Sequence, residues 1–187
     1  GALRVLESLT PGSGHPMDWL SIGIQSLGVA ETTGDIRADG LNLISRMPEL
    51  MATIFRLRGG RGLPEVASEP ERGMVENFVH LLGLEGTDAD RMIRTLRVFL
   101  VLHMDHGGGN LSTFTGKAVA SGWASLYASI SSAMNALSGP LHGRANQSCL
   151  EFVQRIGTSD EAEVESFVRK ELAAGRPIYG FGHAVLR

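Results

Sequence analysis

Three histidines in this 187-residue chain lie in glycine-containing segments of similar character. His106 occurs in DHGGGN, His142 in GPLHGRAN and His183 in YGFGHAVLR. Glycine permits positive φ and removes bulk that would screen an imidazole from a ligand. One histidine of this kind is usually a loop residue satisfied by its neighbours, whereas three similar settings favour a functional site. The sequence therefore predicts that these histidines contribute to a site.

The segment HMDHGGGN also contains possible metal ligands, but its spacing argues against a metal site. His103, Asp105 and His106 all have suitable side chains, and zinc usually takes three or four ligands in protein sites. The two histidines lie three residues apart, the second in a glycine loop, and would need further ligands from elsewhere. We therefore expect no metal here.

Two glycine-rich motifs of known chemistry are also disfavoured. HGGG at 106–109 matches the oxyanion-hole string of lipases and esterases, but the chain lacks the G-x-S-x-G elbow and the parallel sheet of those enzymes. GGGNLS and GFGHAV depart from G-x-G-x-x-G, neither follows a predicted strand, and no G-x-x-x-x-G-K-[ST] is present. The glycines alone therefore do not indicate a phosphate site.

His142 immediately precedes a helix predicted to start near Arg144. The positive end of the helix dipole disfavours an imidazolium at this position. A neutral histidine can donate a hydrogen bond to a carbonyl whose α-carbon is being deprotonated, as in enolisation. The partner base should be a carboxylate. Asp105 and Asp160 lie nearby in sequence, but nothing in their spacing recommends either.

The elements that position these segments are predicted to be helices, because apolar residues recur at three and four residues through most of the chain. The predicted class is all-α. The predicted ranges are 41–57, 88–103, 113–137, 144–156 and 160–174. Only 178–186 has a pattern that allows a short extended piece.

Finer features of these helices are also predicted. Capping boxes are expected at Thr87 with Asp90 and at Thr158 with Glu161. His103 is expected to end a buried stripe. The range 113–137 should form the longest helix, and its alanine, serine and glycine content should let a neighbouring backbone approach closely.

Composition excludes several classes of function. The formal net charge of −3 gives no basic surface for a nucleic acid, and no segment has the length and apolar character of a membrane span. Cys149 is the single cysteine, which excludes an internal disulfide and predicts a small buried thiol in a reducing compartment.

Four segments resemble signature segments of the citrate synthase family, in the same order. They are HPMDWLS at 15–21, LHMDHGGGNLSTFT, MNALSGPLHGRANQ and GRPIYGFGHAVLR. The interval of 36 residues from His106 to His142 also fits the family pattern. The segment GHAVLR is similar to the form in mitochondrial-type enzymes and their bacterial relatives. It differs from the G-H-R-V-Y form of many other members of the family.

The resemblance implies the role of each site residue. His142 would hydrogen-bond the thioester carbonyl of acetyl-CoA and stabilise its enol, and His183 would hydrogen-bond the ketone of oxaloacetate and act as acid. His106 would bind oxaloacetate, with Asn110 as a further substrate-binding residue that supports the loop. His103 would give structural support. Coenzyme A would be bound by Ile178, Tyr179, Gly180, Phe181, Gly182 and Arg187. The family mechanism requires no metal or other cofactor.

The resemblance also implies an architecture and a limit. Residues 1–142 would belong to the large helical domain and 143–187 to the start of the small domain. Helices over 17–29 and 41–58 would pair across a homodimer. The family's catalytic aspartate and substrate arginines lie downstream of GHAVLR, so we expect a truncated segment that is inactive alone. The location would be the cytoplasm of a bacterium or the mitochondrial matrix of a eukaryote.

Two alternatives to citrate formation remain open at this stage. One is a 2-methylcitrate synthase, which performs the same chemistry on propionyl-CoA, because discrimination of one methylene is small. The other is a non-catalytic helical binding or scaffold module that keeps the loops but has lost the chemistry.

Overall fold

The computed structural model describes residues 1–104 and 107–182, and its regular elements there are all helices. This confirms the predicted all-α class. The helices are α1 Ala2–Glu7, α2 Pro16–Glu31, α3 Ile36–Arg58, α4 Met74–Leu82, α5 Gly86–His103, α6 Leu111–Ser121, α7 Leu126–Leu137, α8 Ala145–Ile156 and α9 Glu161–Ala173. No helix in the described part of the chain is both long enough and apolar enough to cross a membrane.

The chain forms two compact units, Gly1–Ala136 and Leu137–Arg187. The boundary falls at the end of α7, six residues before the predicted boundary after residue 142. Whether these units correspond to parts of a large and a small domain stays a prediction.

The core of the first unit lies between α1, α2, α3 and α7. Trp19 at the start of α2 is 2% exposed, and Tyr127 of α7 is fully buried. The remaining buried members of this cluster are Ala2, Leu6, Leu20, Ile24, Leu27, Leu43, Leu50 and Ile54. These residues come from four helices, so their burial depends on the packing of remote segments.

The HPMD segment begins α2 by a capping box. The Nδ1 atom of His15 accepts a hydrogen bond from the main-chain N–H of Met17 (3.2 Å), and Asp18 accepts from the N–H of His15 (2.8 Å). Pro16 occupies the first helical position, where its lack of an N–H costs nothing. This segment therefore has a local structural role in starting a core helix.

The long helix predicted over 113–137 is wrong, because two helices separated by four residues occupy that range. Gly122 ends α6, and Trp123 follows it with φ of 63°, in the left-handed region that breaks a right-handed helix. The apolar spacing continues across this break and gave no sign of it. The predicted close approach is nevertheless present, since Ser21 of α2 and Ser131 of α7 exchange hydrogen bonds through side chain and backbone.

Both predicted capping boxes are also wrong. Helix α5 begins after Glu85, which makes no side-chain cap, so Thr87 lies inside the helix. Helix α9 is capped by Asp160, whose side chain accepts from the N–H of Glu163 (3.0 Å). Thr158 instead accepts a hydrogen bond from the N–H of Asp160 (3.1 Å). Thr158, Ser159 and Asp160 can all cap α9, and local geometry selected Asp160, whereas α5 begins without a side-chain cap.

The second unit is built on α8 and α9. Phe152 of α8 is buried, and its ring meets that of Phe167 of α9 edge to face, with centroids 5.6 Å apart. These aromatic residues hold the two helices together and thereby fix the ends of the helices, where the candidate site residues lie.

Candidate functional site

His142 lies in the short connection between α7 and α8. Its main-chain N–H donates to the carbonyl oxygen of Gly139 (3.0 Å), and its carbonyl accepts from the N–H of Ala145 (3.0 Å). The side chain is half-buried. Helix α8 begins at Ala145, so the predicted placement of this histidine just before a helix N-terminus is confirmed. The backbone of His142 is therefore fixed on both sides.

Gly143 lets this connection fold back on the end of α7. A Cβ at residue 143 would lie 2.7 Å from the main-chain oxygen of Leu137 and 2.5 Å from its Cδ1 atom. Since carbon atoms do not approach a main-chain oxygen so closely without displacement, residue 143 must lack a side chain. The glycine that follows His142 is thus explained by close packing rather than by a positive φ.

The segment 178–182 forms a turn beside α8. The N–H of Phe181 donates to the carbonyl of Ile178 (3.3 Å), and Gly180 and Gly182 have φ of 93° and 76°. The described part of this segment therefore forms a turn and not the extended piece allowed by the sequence. Phe181 is 83% exposed, so its ring is available to a ligand.

Cys149 connects this turn to α8. Its Sγ atom lies 3.7 Å from the carbonyl oxygen of Tyr179, and a Cβ at Gly180 would lie 3.5 Å from the same sulfur. The thiol is half-buried rather than buried as predicted. Cys149 lies four residues after Ala145, which is about 6 Å along a helix axis. The turn and the His142 loop therefore flank the first part of the same helix.

Glu171 near the end of α9 is a feature that the sequence analysis missed. It is 3% exposed, yet it is charged, because its carboxylate accepts hydrogen bonds from Arg176 and Arg155. The bonds from Arg176 above all, together with the positive charge of Arg155, lower the pKa of Glu171 to about 2, against the opposing effect of burial. The one signal in the sequence was an acidic residue on a helix face that is otherwise apolar.

Asn110 caps α6 and closes the loop that precedes it. Its Oδ1 atom accepts from the N–H of Thr113 (2.9 Å) and from the hydroxyl of Ser112 (2.7 Å). Its Nδ2 group donates to the carbonyl of Gly107 (2.7 Å). Both ends of the amide thus hold the loop 107–110, in keeping with the supporting role expected of this residue. A direct contact with substrate stays a prediction.

His103 does not end a buried stripe, which corrects the sequence-based expectation. It is exposed, and α5 has no buried residue in the described structure. Its Nδ1 atom donates to the carbonyl of Phe99 (2.7 Å), and the two rings stack with centroids 4.0 Å apart. The regularly spaced apolar residues of α5 therefore form a helix face that this chain leaves partly exposed to solvent.

Three predicted site residues, His106, His183 and Arg187, lie outside the described residues, as does Asp105. Among the residues that the structure does describe, no group of three or more histidine, cysteine, aspartate or glutamate side chains is arranged to hold a metal ion. The described part of the candidate site in the second unit thus consists of the His142 loop and the turn at 178–182. The loop held by Asn110 belongs to the first unit and is described by itself.

Comparison with known proteins gives one consistent family. A family model described as the C-terminal domain of citrate synthase matches residues 1–187. The mitochondrial citrate synthase of Citrus maxima is 34% identical over 205 residues, which cover 98% of this chain and 42% of that protein. A mitochondrial 2-methylcitrate synthase of Yarrowia lipolytica is 38% identical over 156 residues, covering 80% of this chain and 33% of that protein. The chain thus spans less than half the length of these relatives.

A solved structure gives the same fold. The citrate synthase of Thermoplasma acidophilum, in a ternary complex with carboxymethyl coenzyme A and oxaloacetate, superposes with a TM-score of 0.81. The superposition covers 97% of this chain and 48% of that one, at 23% identity. At this identity the likeness establishes the fold alone.

Proposed function

Because this chain belongs to the citrate synthase family, we propose that the protein condenses acetyl-CoA with oxaloacetate to form citrate and coenzyme A. The observation that carries the proposal is the match of the family model to all of residues 1–187, including the three histidine loops. In this reaction a base removes a proton from the methyl group of acetyl-CoA. The resulting enol attacks the ketone carbon of oxaloacetate, and water then cleaves the citryl thioester.

His142 is assigned to the thioester carbonyl. Its backbone is held by hydrogen bonds with Gly139 and Ala145, and the residue lies three positions before α8 begins. An imidazole N–H at this place can donate a hydrogen bond to the carbonyl oxygen as the enol forms. The fixed backbone on both sides of His142 supports the proposed role.

The other roles follow from the family resemblance. His183 is assigned to the ketone oxygen of oxaloacetate as acid, and His106 to the binding of oxaloacetate, with Asn110 holding the loop. The turn at 178–182, together with Arg187, is assigned to coenzyme A. The exposed ring of Phe181 and the open backbone at Gly180 and Gly182 support a ligand at this turn. The base is not assigned to a residue of this chain.

A second copy of the chain is the proposed partner. Large apolar side chains are exposed on α2 and α3, which are the helices that the resemblance assigns to a dimer interface. They are Ile22, Val29, Ile36, Leu41, Ile44 and Phe55. Exposed apolar surface of this kind is typical of a protein interface. A molar mass of two chains in light scattering is expected, and a monomer at micromolar concentration would contradict this assignment.

The proposed activity belongs to the cytoplasm in a bacterial source and to the mitochondrial matrix in a eukaryotic one.

The test is coenzyme A release from acetyl-CoA and oxaloacetate, measured on the protein expressed from its complete reading frame. His142→Ala is expected to lower kcat by about 10²- to 10⁴-fold, the range for loss of a positioned proton donor. His103→Ala is the matched control, because its exposed ring contacts Phe99 and no proposed substrate group. Unchanged activity of His142→Ala would refute the role assigned to this histidine, whereas no coenzyme A release by the wild type would favour a binding or scaffold role for these loops.

The same assay with propionyl-CoA separates the two synthases. The similarity to the Yarrowia lipolytica enzyme makes 2-methylcitrate formation the second candidate. We expect a higher kcat/KM with acetyl-CoA. The reverse preference would assign the protein to 2-methylcitrate formation, with the same histidines in the same roles.

A further inference from the structure

We infer that Glu171 is a positioning residue for coenzyme A binding: it fixes the exit of α9 and thereby the turn at 178–182. This inference rests on the proposed function, because it deepens the assignment of that turn to coenzyme A. Glu171 does not touch the turn itself. It acts through Arg176, which lies two residues before the turn begins.

The link between Glu171 and Arg176 is threefold. The Nε group of Arg176 donates to Oε2 of Glu171 (2.8 Å), and its Nη2 group donates to Oε1 (2.7 Å). The main-chain N–H of Arg176 also donates to the main-chain carbonyl of Glu171 (3.0 Å). Two parallel bonds between a guanidinium and a carboxylate define an orientation as well as a distance. Both the backbone and the side chain of Arg176 are therefore fixed.

A second arginine ties the same carboxylate to α8. The Nη2 group of Arg155 donates to Oε1 of Glu171 (2.9 Å), and its guanidinium lies over the ring of Phe167 at 5.3 Å. Glu171 thus joins α8, α9 and the segment after α9 at one buried point. The side chains of Arg155 and Arg176 remain about half exposed, so the charge of the cluster is not sealed from solvent.

Only Pro177 separates this point from the turn. Proline has a fixed φ and restricts the residue before it to extended conformations. The orientation of Arg176 therefore largely determines the position at which the turn begins. Within the turn, the carbonyl of Tyr179 also contacts the thiol of Cys149 on α8 (3.7 Å). The turn therefore has two attachments to the α8–α9 pair. Glu171 supplies the attachment that charged groups make, through Arg176.

The measurement that tests this is the dissociation constant of coenzyme A for Glu171→Gln, by titration calorimetry on the protein from its complete reading frame. We expect binding to weaken about tenfold, which corresponds to the loss of one charge-assisted hydrogen bond. KM for acetyl-CoA should rise similarly, while KM for oxaloacetate and kcat stay close to the wild type. Glu165→Gln is the matched control, since it removes an exposed ion pair with Arg169 on the same helix.

Hydrogen exchange at the amide of Phe181 gives a second readout that needs no ligand. That amide bonds the carbonyl of Ile178 across the turn, so its exchange should accelerate in Glu171→Gln and not in Glu165→Gln. If Glu171→Gln does not fold, Arg176→Lys replaces it, because it keeps the charge but loses the paired bonds. A smaller change in the same direction is expected for that variant.

The possible outcomes separate this inference from the proposed function. If the wild type binds coenzyme A and Glu171→Gln binds it equally, or more tightly through the released arginines, the positioning role is wrong while the proposed function stands. An equal effect on KM for both substrates would also overturn it. Failure of the wild type to bind coenzyme A would refute the assignment of the turn, and this inference with it.

Discussion

Gly143 and Leu137 approach so closely that a Cβ on the glycine would lie 2.7 Å from the main-chain oxygen of the leucine. The contact joins the loop after His142 to the end of α7. The position of the proposed catalytic histidine therefore depends on residue 143 having no side chain.

Gly143→Ala is expected to move the His142 loop. Forcing a methylene into a filled space usually costs about 1–3 kcal/mol of unfolding free energy, and a displacement of about 1 Å can lower activity on the order of 100-fold. We expect kcat to fall by more than the loss of stability explains, measured by coenzyme A release beside a urea titration. Gly122→Ala is the control, because its added Cβ meets the nearest atom at an ordinary 3.4 Å. Equal kcat in the two variants would contradict the prediction.

Gly28 and Gly40 form a matched pair of helical glycines in the first unit. A Cβ at Gly28 would lie 2.4 Å from Cβ of Tyr127, whereas one at Gly40 would lie 3.6 Å from Leu126. Gly28→Ala should therefore destabilise the protein by about 1–3 kcal/mol through overpacking. Gly40→Ala should stabilise it by about 0.5–1 kcal/mol, because alanine has the higher helix propensity. Free energies of unfolding in urea provide the comparison, and a loss at Gly40 equal to that at Gly28 would refute the steric explanation.

Glu171 should make stability depend on pH in the acid range. Its pKa is lowered in the folded state from 4.5 to about 2, chiefly by hydrogen bonds from Arg176. A carboxylate with a lowered folded-state pKa stabilises the fold above its unfolded pKa, and this stabilisation is lost as the pH falls through the folded value. The difference in unfolding free energy between the wild type and Glu171→Gln should thus be greatest near neutrality and shrink between pH 4.5 and about 2. A difference that is independent of pH over this interval would show that the ion cluster does not stabilise the fold.

Much of the fold followed from local patterns. The apolar spacing located α3, α5, α8 and α9 to within a few residues, with α3 extending five residues further at its start than predicted, and the family resemblance indicated α2. The glycine and proline residues around the His142 loop indicated that one helix ends there and another begins after it. This placed His142 directly before α8. The apolar spacing missed α1 and α4, and it merged α6 with α7 across Trp123.

The sequence by itself determined the helical class, the family and the order of the histidine loops, because periodicity and motif spacing are properties of neighbouring residues. Only the tertiary structure decided that Gly28 and Gly143 are close-packed, that the α5 face stays open and that Glu171 is buried between two arginines. Each of these depends on the distance between residues of different helices or loops, and no local pattern encodes that distance. The charged cluster at Glu171 shows this most clearly, since its three members come from α8, α9 and the segment that follows.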